Sequence, residues 1–330
     1  MKDFRIIVKQ ANPGQPYLSG SSVAGSLLVV VDKPKSYKHI SIRFLGRADV
    51  RWKEVVSEGV GEDASSRIKR CISSETYVNT ELTLWTAEQC QDGRLPPGHH
   101  SFPFSFNIPP NAPSSFEGTL GSIRYTLHGR IGTRVLKFDH QIEARVPVQQ
   151  MVGISDPRVL QPVRQEVQKK ALCLLRASTP VVLTVTAPKT GYCLGETLPV
   201  HVSIENGASR SITLNAVLSQ AVVYRAQGGH QSEGKTLVSV VSDKIAPKTS
   251  REWDPTIQIP MTEVIGDGSC SIIQESHLLT ITAVIPWASN LSTAIHLKLG
   301  NIYQQPLVVP DKKVPLSTQS FSAPSPISSS

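Results

Sequence analysis

Hydrophobic positions recur at every second residue along much of this chain, the period of a strand with one buried face. The clearest run is Leu95 to Ile131, where Phe102, Phe104, Phe106 and Ile108 alternate with Pro103, Ser105 and Asn107. Pro109, Pro110 and Pro113 end that strand, because proline cannot donate to a ladder. After a small turn region from Ser114 to Gly121, alternation resumes, with Ile123, Tyr125, Leu127 and Ile131 on one side and Arg124, Thr126, His128 and Arg130 on the other. The spacing predicts a strand, a proline-broken corner and a returning strand. Other predicted strands cover Phe4 to Lys9, Ser22 to Val31 and His39 to Trp52. Glu75 to Gln89, Val181 to Val185, Leu198 to Ile204 and Leu278 to Ile285 follow the same rule. Ser57 to Ser74 is polar and is expected to form a loop between hairpin strands.

Several pieces recur. Tyr17-Leu18-Ser19-Gly20 returns as Tyr192-Cys193-Leu194-Gly195; Ile40, Ile42 and Phe44 have counterparts in Ile212, Leu214 and Ala216; Phe104 to Pro109 returns as Asp254 to Pro260. Short strands plus this duplication predict two similar β-sandwiches in tandem. The expected boundaries are 1–150 for the first domain, 151–176 for the connection, 177–310 for the second domain and 311–330 for a disordered Ser/Pro-rich tail. The connection reads as a short helix or irregular piece, or as a strand entering the second domain. Lys169-Lys170 beside Cys173 also admits contact with a membrane surface.

At 330 residues the chain is long enough for two cores, and 39% hydrophobic with 18% charged residues suits globular structure. The net charge of +8 contains no long basic run, which argues for acidic protein or lipid partners and against nucleic acid. Five scattered cysteines without a CxxC pair point to a reducing cytosol and to no zinc site. No apolar run approaches the ~20 residues of a membrane-spanning helix. Adjacent His99 and His100 point to opposite faces of a strand. No HExxH, GxSxG, P-loop or dinucleotide fingerprint occurs, so no enzymatic activity and no cofactor are expected.

The organising run resembles the amino-terminal domain of the arrestin superfamily, and in particular the arrestin domain-containing proteins, or alpha-arrestins. The resemblance rests on Gly98-His99-His100-Ser101-Phe102-Pro103-Phe104-Ser105-Phe106-Asn107-Ile108-Pro109, on Pro113-Ser114-Ser115-Phe116-Glu117-Gly118, and on Gly121-Ser122-Ile123-Arg124-Tyr125. Gly191-Tyr192-Cys193-Leu194-Gly195-Glu196 with Ile204-Glu205-Asn206 is similar to the family's carboxy-terminal domain. Gln274 departs from the family, which usually carries Tyr there, so a different packing of the last strand pair is expected. The resemblance implies an all-β, arrestin-like fold of two tandem immunoglobulin-like sandwiches. It also implies a non-enzymatic cytosolic adaptor that binds cytoplasmic segments of transmembrane proteins and links them to trafficking, endocytosis or degradation, with peripheral contact at the plasma membrane or endosomes. Many alpha-arrestins recruit WW-domain ubiquitin ligases through P-P-x-Y; neither Pro96-Pro97 nor Pro109-Pro110 supplies the Tyr, which argues against that partner here. The alternative is a constitutive scaffold or coat-type subunit on the same fold.

For the binding surface, Arg5 and Lys9 alternate with Phe4, Ile6 and Val8, and Arg43, Arg47 and Arg51 lie on the polar side of their strand. These five are either a solvated face or a basic surface that receives acidic or phosphorylated groups.

Overall fold

The computed structural model describes residues 1–9, 14–58, 65–90, 92–133, 138–169, 179–262, 264–266 and 268–302. Lys170, Cys173 and the tail at 311–330 lie outside them.

The first domain contains β1 (Asp3–Lys9), β2 (Tyr17–Leu18), β3 (Ser22–Val31), β4 (Tyr37–Glu58), β5 (Ser65–Thr86), β6 (Gly98–Asn107), β7 (Phe116–Glu117), β8 (Gly121–Thr133), β9 (His140–Arg145) and β10 (Val148–Gln149). One sheet has the order β1-β3-β6, and the other runs β5-β4-β8-β7 with β9 also on β8. The expected alternation holds: Phe104, Phe106 and Ile108 are buried from one sheet, and Ile42, Phe44, Ile123, Tyr125 and Leu127 from the other. Pro103 stands on β6, an edge strand, where a missing N–H is tolerated. The corner is closed by the Tyr125 hydroxyl, which donates to the Pro113 carbonyl at 2.8 Å.

The second domain contains β11 (Val163–Lys169), β12 (Val181–Ala187), β13 (Gly191–Cys193), β14 (Thr197–Pro199), β15 (His201–Asn206), β16 (Thr213–Ala226), β17 (Gly229–Val241), β18 (Ser250–Trp253), β19 (Thr256–Gln258), β20 (Ile273–Val284) and β21 (Leu291–Gly300). Its sheets run β11-β12-β15-β18 and β13-β21-β20-β16-β17. The stretch between the domains holds a 3-10 turn at Pro157–Leu160, followed by β11, which pairs antiparallel with β12. At the departure from the family pattern, Gln274 pairs with Val223, and β20 continues against β21 in unbroken register from His277↔Leu297 to Ala283↔Leu291.

The duplication is physical. Gly20 and Gly195 both have positive φ, +83° and +82°, where a side chain would be strained. The following residue accepts an equivalent bond in each domain: Ile108 N–H to the Ser21 carbonyl and Ile259 N–H to the Glu196 carbonyl, both at 2.9 Å. The short strand before each glycine pairs in parallel with the end of its domain, β2 with β10 and β13 with β21.

One expectation fails. The stretch Ser57 to Ser74 is mostly not a loop: β4 and β5 pair from Glu58↔Ser65 inward, leaving only 59–64 between them, outside the described residues. Pairing along β4 satisfies the backbone of β5, and Val55, Val56, Ile68 and Ile72 favour extended structure despite their polar neighbours.

The two cores meet inside one sheet. On β16, Leu214, Ala216 and Leu218 belong to the second-domain core, whereas Val222, Tyr224 and Ala226 belong to the core of Ile42, Phe44 and Phe106 in the first. Gln220 and His277, register partners on β16 and β20, lie buried between them.

Two stability predictions follow from buried polar groups. Buried Asn206 donates through Nδ2 to the carbonyls of Arg210 and Ala246, each at 2.9 Å, and its Oδ1 accepts from the Ala208 N–H at 3.0 Å. Asn206→Ala orphans these groups and should destabilise the fold by about 3 kcal/mol, read by denaturant titration. His277 is 4% exposed, and burial holds its imidazole down to about 4 from an ordinary 6.5, so it folds neutral. The unfolded chain then binds the extra proton, and stability falls as pH drops from 6.5 toward 4. Wild type should lose about 2 kcal/mol more than His277→Leu between pH 7 and pH 5, measured by denaturant unfolding at both pH values.

Candidate interaction surface

At the start of β4 both Tyr37 and Ser41 are buried, but from Ile42 onward strand alternation sends its even positions inward and its odd positions outward. That puts Arg43, Arg47 and Arg51 in one row on the outer face of the first domain's larger sheet, with Arg43 half-buried and the others exposed. β8 runs beside them and adds Arg124 and Arg130, and β9 adds Arg145. Alternation along β8 already marks Arg124 and Arg130 as outward, but their place beside Arg47 and Ser41 comes from the long-range register and was not legible in the sequence.

Most of these arginines are held by local carboxylates. Arg43 Nε donates to Asn79 Oδ1 at 2.7 Å, and Arg47 Nε donates to Asp49 Oδ2 at 2.7 Å with a second contact to Oδ1. Arg124 makes a two-pronged pair with Glu117, Nε at 2.7 Å and Nη2 at 2.6 Å, and holds that carboxyl below its usual range; Arg145 stands 3.6 Å from the same group. Asp139 is likewise held low by the Thr133 N–H and the Arg130 guanidinium. Arg51 has no ion-pair partner among the described residues. It faces a surface cavity of about 580 Å³ together with Arg47, Arg124 and the Gly118–Gly121 turn. A second hollow of about 410 Å³ is lined by Arg43, Glu81, His128, Arg130 and Glu143. The face is thus a lattice of paired charges with a cationic end at Arg51, able to exchange its carboxylates for those of a ligand.

Arg5 and Lys9 are not part of it. They point outward from β1, which belongs to the opposite sheet and, among the described residues, pairs with β3 alone. Arg5 Nε contacts Asp3 at 2.9 Å. The five cations expected to act together therefore fall into two groups on opposite faces of the sandwich, one beside an unpaired strand edge.

Between the domains, the Glu75 carboxylate accepts from the Ser271 N–H at 2.9 Å and its hydroxyl at 2.5 Å. Glu233 accepts from the Tyr224 hydroxyl and, at 3.4 Å, from the Thr119 N–H. A cleft of about 750 Å³ opens there between Phe116–Thr119 and Gln220, Val222, Lys235 and Met261. Burial raises the Cys270 and Cys193 thiols, which disfavours their reactive thiolates. Among the described residues no cluster of three or more His, Cys, Asp or Glu is placed to hold a metal ion, and no helix is long and apolar enough to cross a membrane.

Comparison with known proteins agrees with this architecture. Residues 4–155 match the family model for the arrestin (or S-antigen) N-terminal domain, and residues 177–304 match the model for the C-terminal domain. Arrestin domain-containing protein 4 of Homo sapiens is 31% identical over 291 residues, covering 87% of this chain and 68% of the relative. The Mus musculus protein of the same name is 30% identical over 298 residues, 87% and 69% of the two chains. Arrestin domain-containing protein 1 of Homo sapiens is 27% identical over 288 residues, 87% of this chain and 62% of the relative. Arrestin family proteins are adaptors and generally non-enzymatic. With both domain types matched in order over two tandem β-sandwiches, this chain belongs to the arrestin family, among the arrestin domain-containing proteins, or alpha-arrestins.

Proposed function

We propose that this chain is a cytoplasmic adaptor that binds acidic or phosphorylated cytoplasmic segments of transmembrane proteins and links them to trafficking, endocytosis or degradation machinery. The observation that carries the reading is the row Arg43, Arg47 and Arg51 on an open sheet face. Two of its members are held by exchangeable polar partners and the third has none. An incoming carboxylate or phosphate gains charge-assisted hydrogen bonds there. Arg5 and Lys9 supply a separate contact, beside the free edge of β1, where an extended segment adds a strand and places its acids against them. The proposed limits of 1–150 and 177–310 leave β11 in the connection although it pairs with β12 of the second sandwich, and binding is carried by the first sandwich.

The reading is tested by proximity labelling in cells and by binding of an acidic peptide in vitro. Arg43→Glu/Arg47→Glu/Arg51→Glu should weaken the peptide on the order of tenfold or more, and the wild-type affinity should fall with added salt. Arg5→Glu/Lys9→Glu should weaken it independently. Transmembrane proteins should appear among the neighbours of wild type and be depleted for the triple variant; a ubiquitin ligase among them would be one reached without P-P-x-Y. Peptide binding unchanged in both variants and at all salt concentrations would sink the assignment of these residues. One second reading keeps the fold and changes its use, a constitutive scaffold or coat-type subunit. It predicts one fixed set of soluble partners that co-purify at stoichiometric level.

A further inference from the structure

The β4–β5 hairpin outgrows its sheet. Pairing of β4 with β8 ends at Val50↔Gly121, whereas pairing with β5 runs on to Glu58↔Ser65. Beyond Val50 the hairpin is a two-stranded finger about 25 Å long at the usual rise per residue. Two strands alone are marginally stable in water, so what each face carries matters.

Register separates the two faces. Trp52, paired with Cys71, turns toward the second domain, and both are buried in the core shared with Val222 and Tyr224. Glu54, paired with Lys69, shares that side. The other face carries Arg51 opposite Ile72, Lys53 opposite Arg70, and Val55 opposite Ile68. All six are exposed, with Val55 at 69%, Ile68 at 63% and Ile72 at 54%. This face has three cations and no acid, and Arg51, Lys53 and Arg70 have no ion-pair partner among the described residues. Three exposed aliphatic side chains beside three unpaired cations cost the free protein apolar hydration and like-charge repulsion, and only an anionic, partly apolar occupant relieves both.

We propose that this face of the finger docks on an anionic lipid surface, with Val55 and Ile68 entering the headgroup layer and Lys53, Arg70 and Arg51 pairing with lipid phosphates and carboxylates. The cavities described above reach Arg51 and Ile72, but Val55, Ile68, Lys53 and Arg70 do not line them. A bilayer needs no such groove: it accepts aliphatic side chains and cations from an open face, the long basic side chains covering apolar surface while their heads stay at the phosphates. The connection at 59–64 contains Glu62 and Asp63 and lies outside the described residues. The inference adds a lipid contact to the adaptor reading and rests on it only for placing the chain at a membrane.

The test is sedimentation of the full chain with vesicles of phosphatidylcholine alone or with about 30 mol% phosphatidylserine. Wild type should partition on the order of tenfold more onto the anionic vesicles, less so at high salt. Lys53→Glu/Arg70→Glu and Val55→Ser/Ile68→Ser should each lower that partition on the order of tenfold. Arg51 is left intact, so binding of the acidic peptide used above reports separately on the β4 row. Thermal melts matching wild type establish that the exposed-face variants fold, and the two pairs act through different chemistry, so either one suffices. Equal partition onto neutral and anionic vesicles, or partition unchanged by both pairs, overturns the proposal. Absent vesicle binding, with acidic-peptide binding lost in Lys53→Glu/Arg70→Glu, also overturns it and assigns the finger to an acidic protein segment. Retained vesicle binding with no peptide binding leaves the lipid face standing and removes the adaptor assignment of the arginine row.

Discussion

Burial along β16 ties the two domains together. A strand points every second side chain to one face, and on β16 that face is apolar from Leu214 to Ala226 with a single interruption at Gln220. Before the interruption the side chains fill the second sandwich; after it they fill the first. β20 follows the same rule, with Leu279, Ile281 and Ala283 on one side of His277 and Ile273 on the other. Because both strands are rigid members of one sheet, the junction inherits the stiffness of a hydrogen-bonded ladder. Pulling the domains apart exposes Val222, Tyr224 and Ile273 together with Trp52 and Cys71, several aromatic and aliphatic side chains whose burial is worth roughly 25 cal/mol per Å².

The polar interruption has its own consequence. His277 Nε2 has no hydrogen-bond partner among the described residues, while Gln220 reaches Glu275, which in turn accepts from the Ile265 N–H at 2.7 Å. An apolar pair at these positions would fuse the cores into one. The observed residues instead separate two cores and leave a hollow at the seam. The same seam collects Glu75 on Ser271 and Glu233 on Tyr224, so an apolar contact and a polar rim lie side by side, as in an interface between two proteins.

How much of this was legible depends on the range of the interaction. Period-two burial is local, and Phe104, Phe106, Ile123, Tyr125 and Leu127 could be read directly. The duplication was legible too, down to the glycines that need positive φ. Pairing between distant strands was not. Nothing in the polar composition of Ser57 to Ser74 indicates that β4 is long enough to carry β5 with it. Nothing in the alternation of β16 indicates that its two halves serve different cores, since both halves read as apolar. The arginines show the same limit. Alternation places Arg5 and Arg43 outward, and Asp49 in the same row as Arg47, but it does not say that the strands of Arg5 and Arg43 lie in opposite sheets, or that Asn79 of β5 stands beside the β4 row.

That limit explains why an adaptor's surface is harder to read than its core. A buried side chain has one requirement, removal from water, and a strand's own period meets it. An exposed arginine is defined by its neighbours: beside Glu117 it is a cross-strand clamp, and without a carboxylate it is a site for one. In this fold the difference is made by where β8 stops. As far as Val50, β8 and its neighbours bring Glu117, Asp139 and Glu143 to the cations, and the surface is largely neutralised. Past Val50 no third strand among the described residues delivers an acid, so Arg51, Lys53 and Arg70 have no ion-pair partner there. The reach of a single strand therefore divides the outer surface into a paired lattice, where a ligand must displace existing partners, and a bare finger, where it displaces only water.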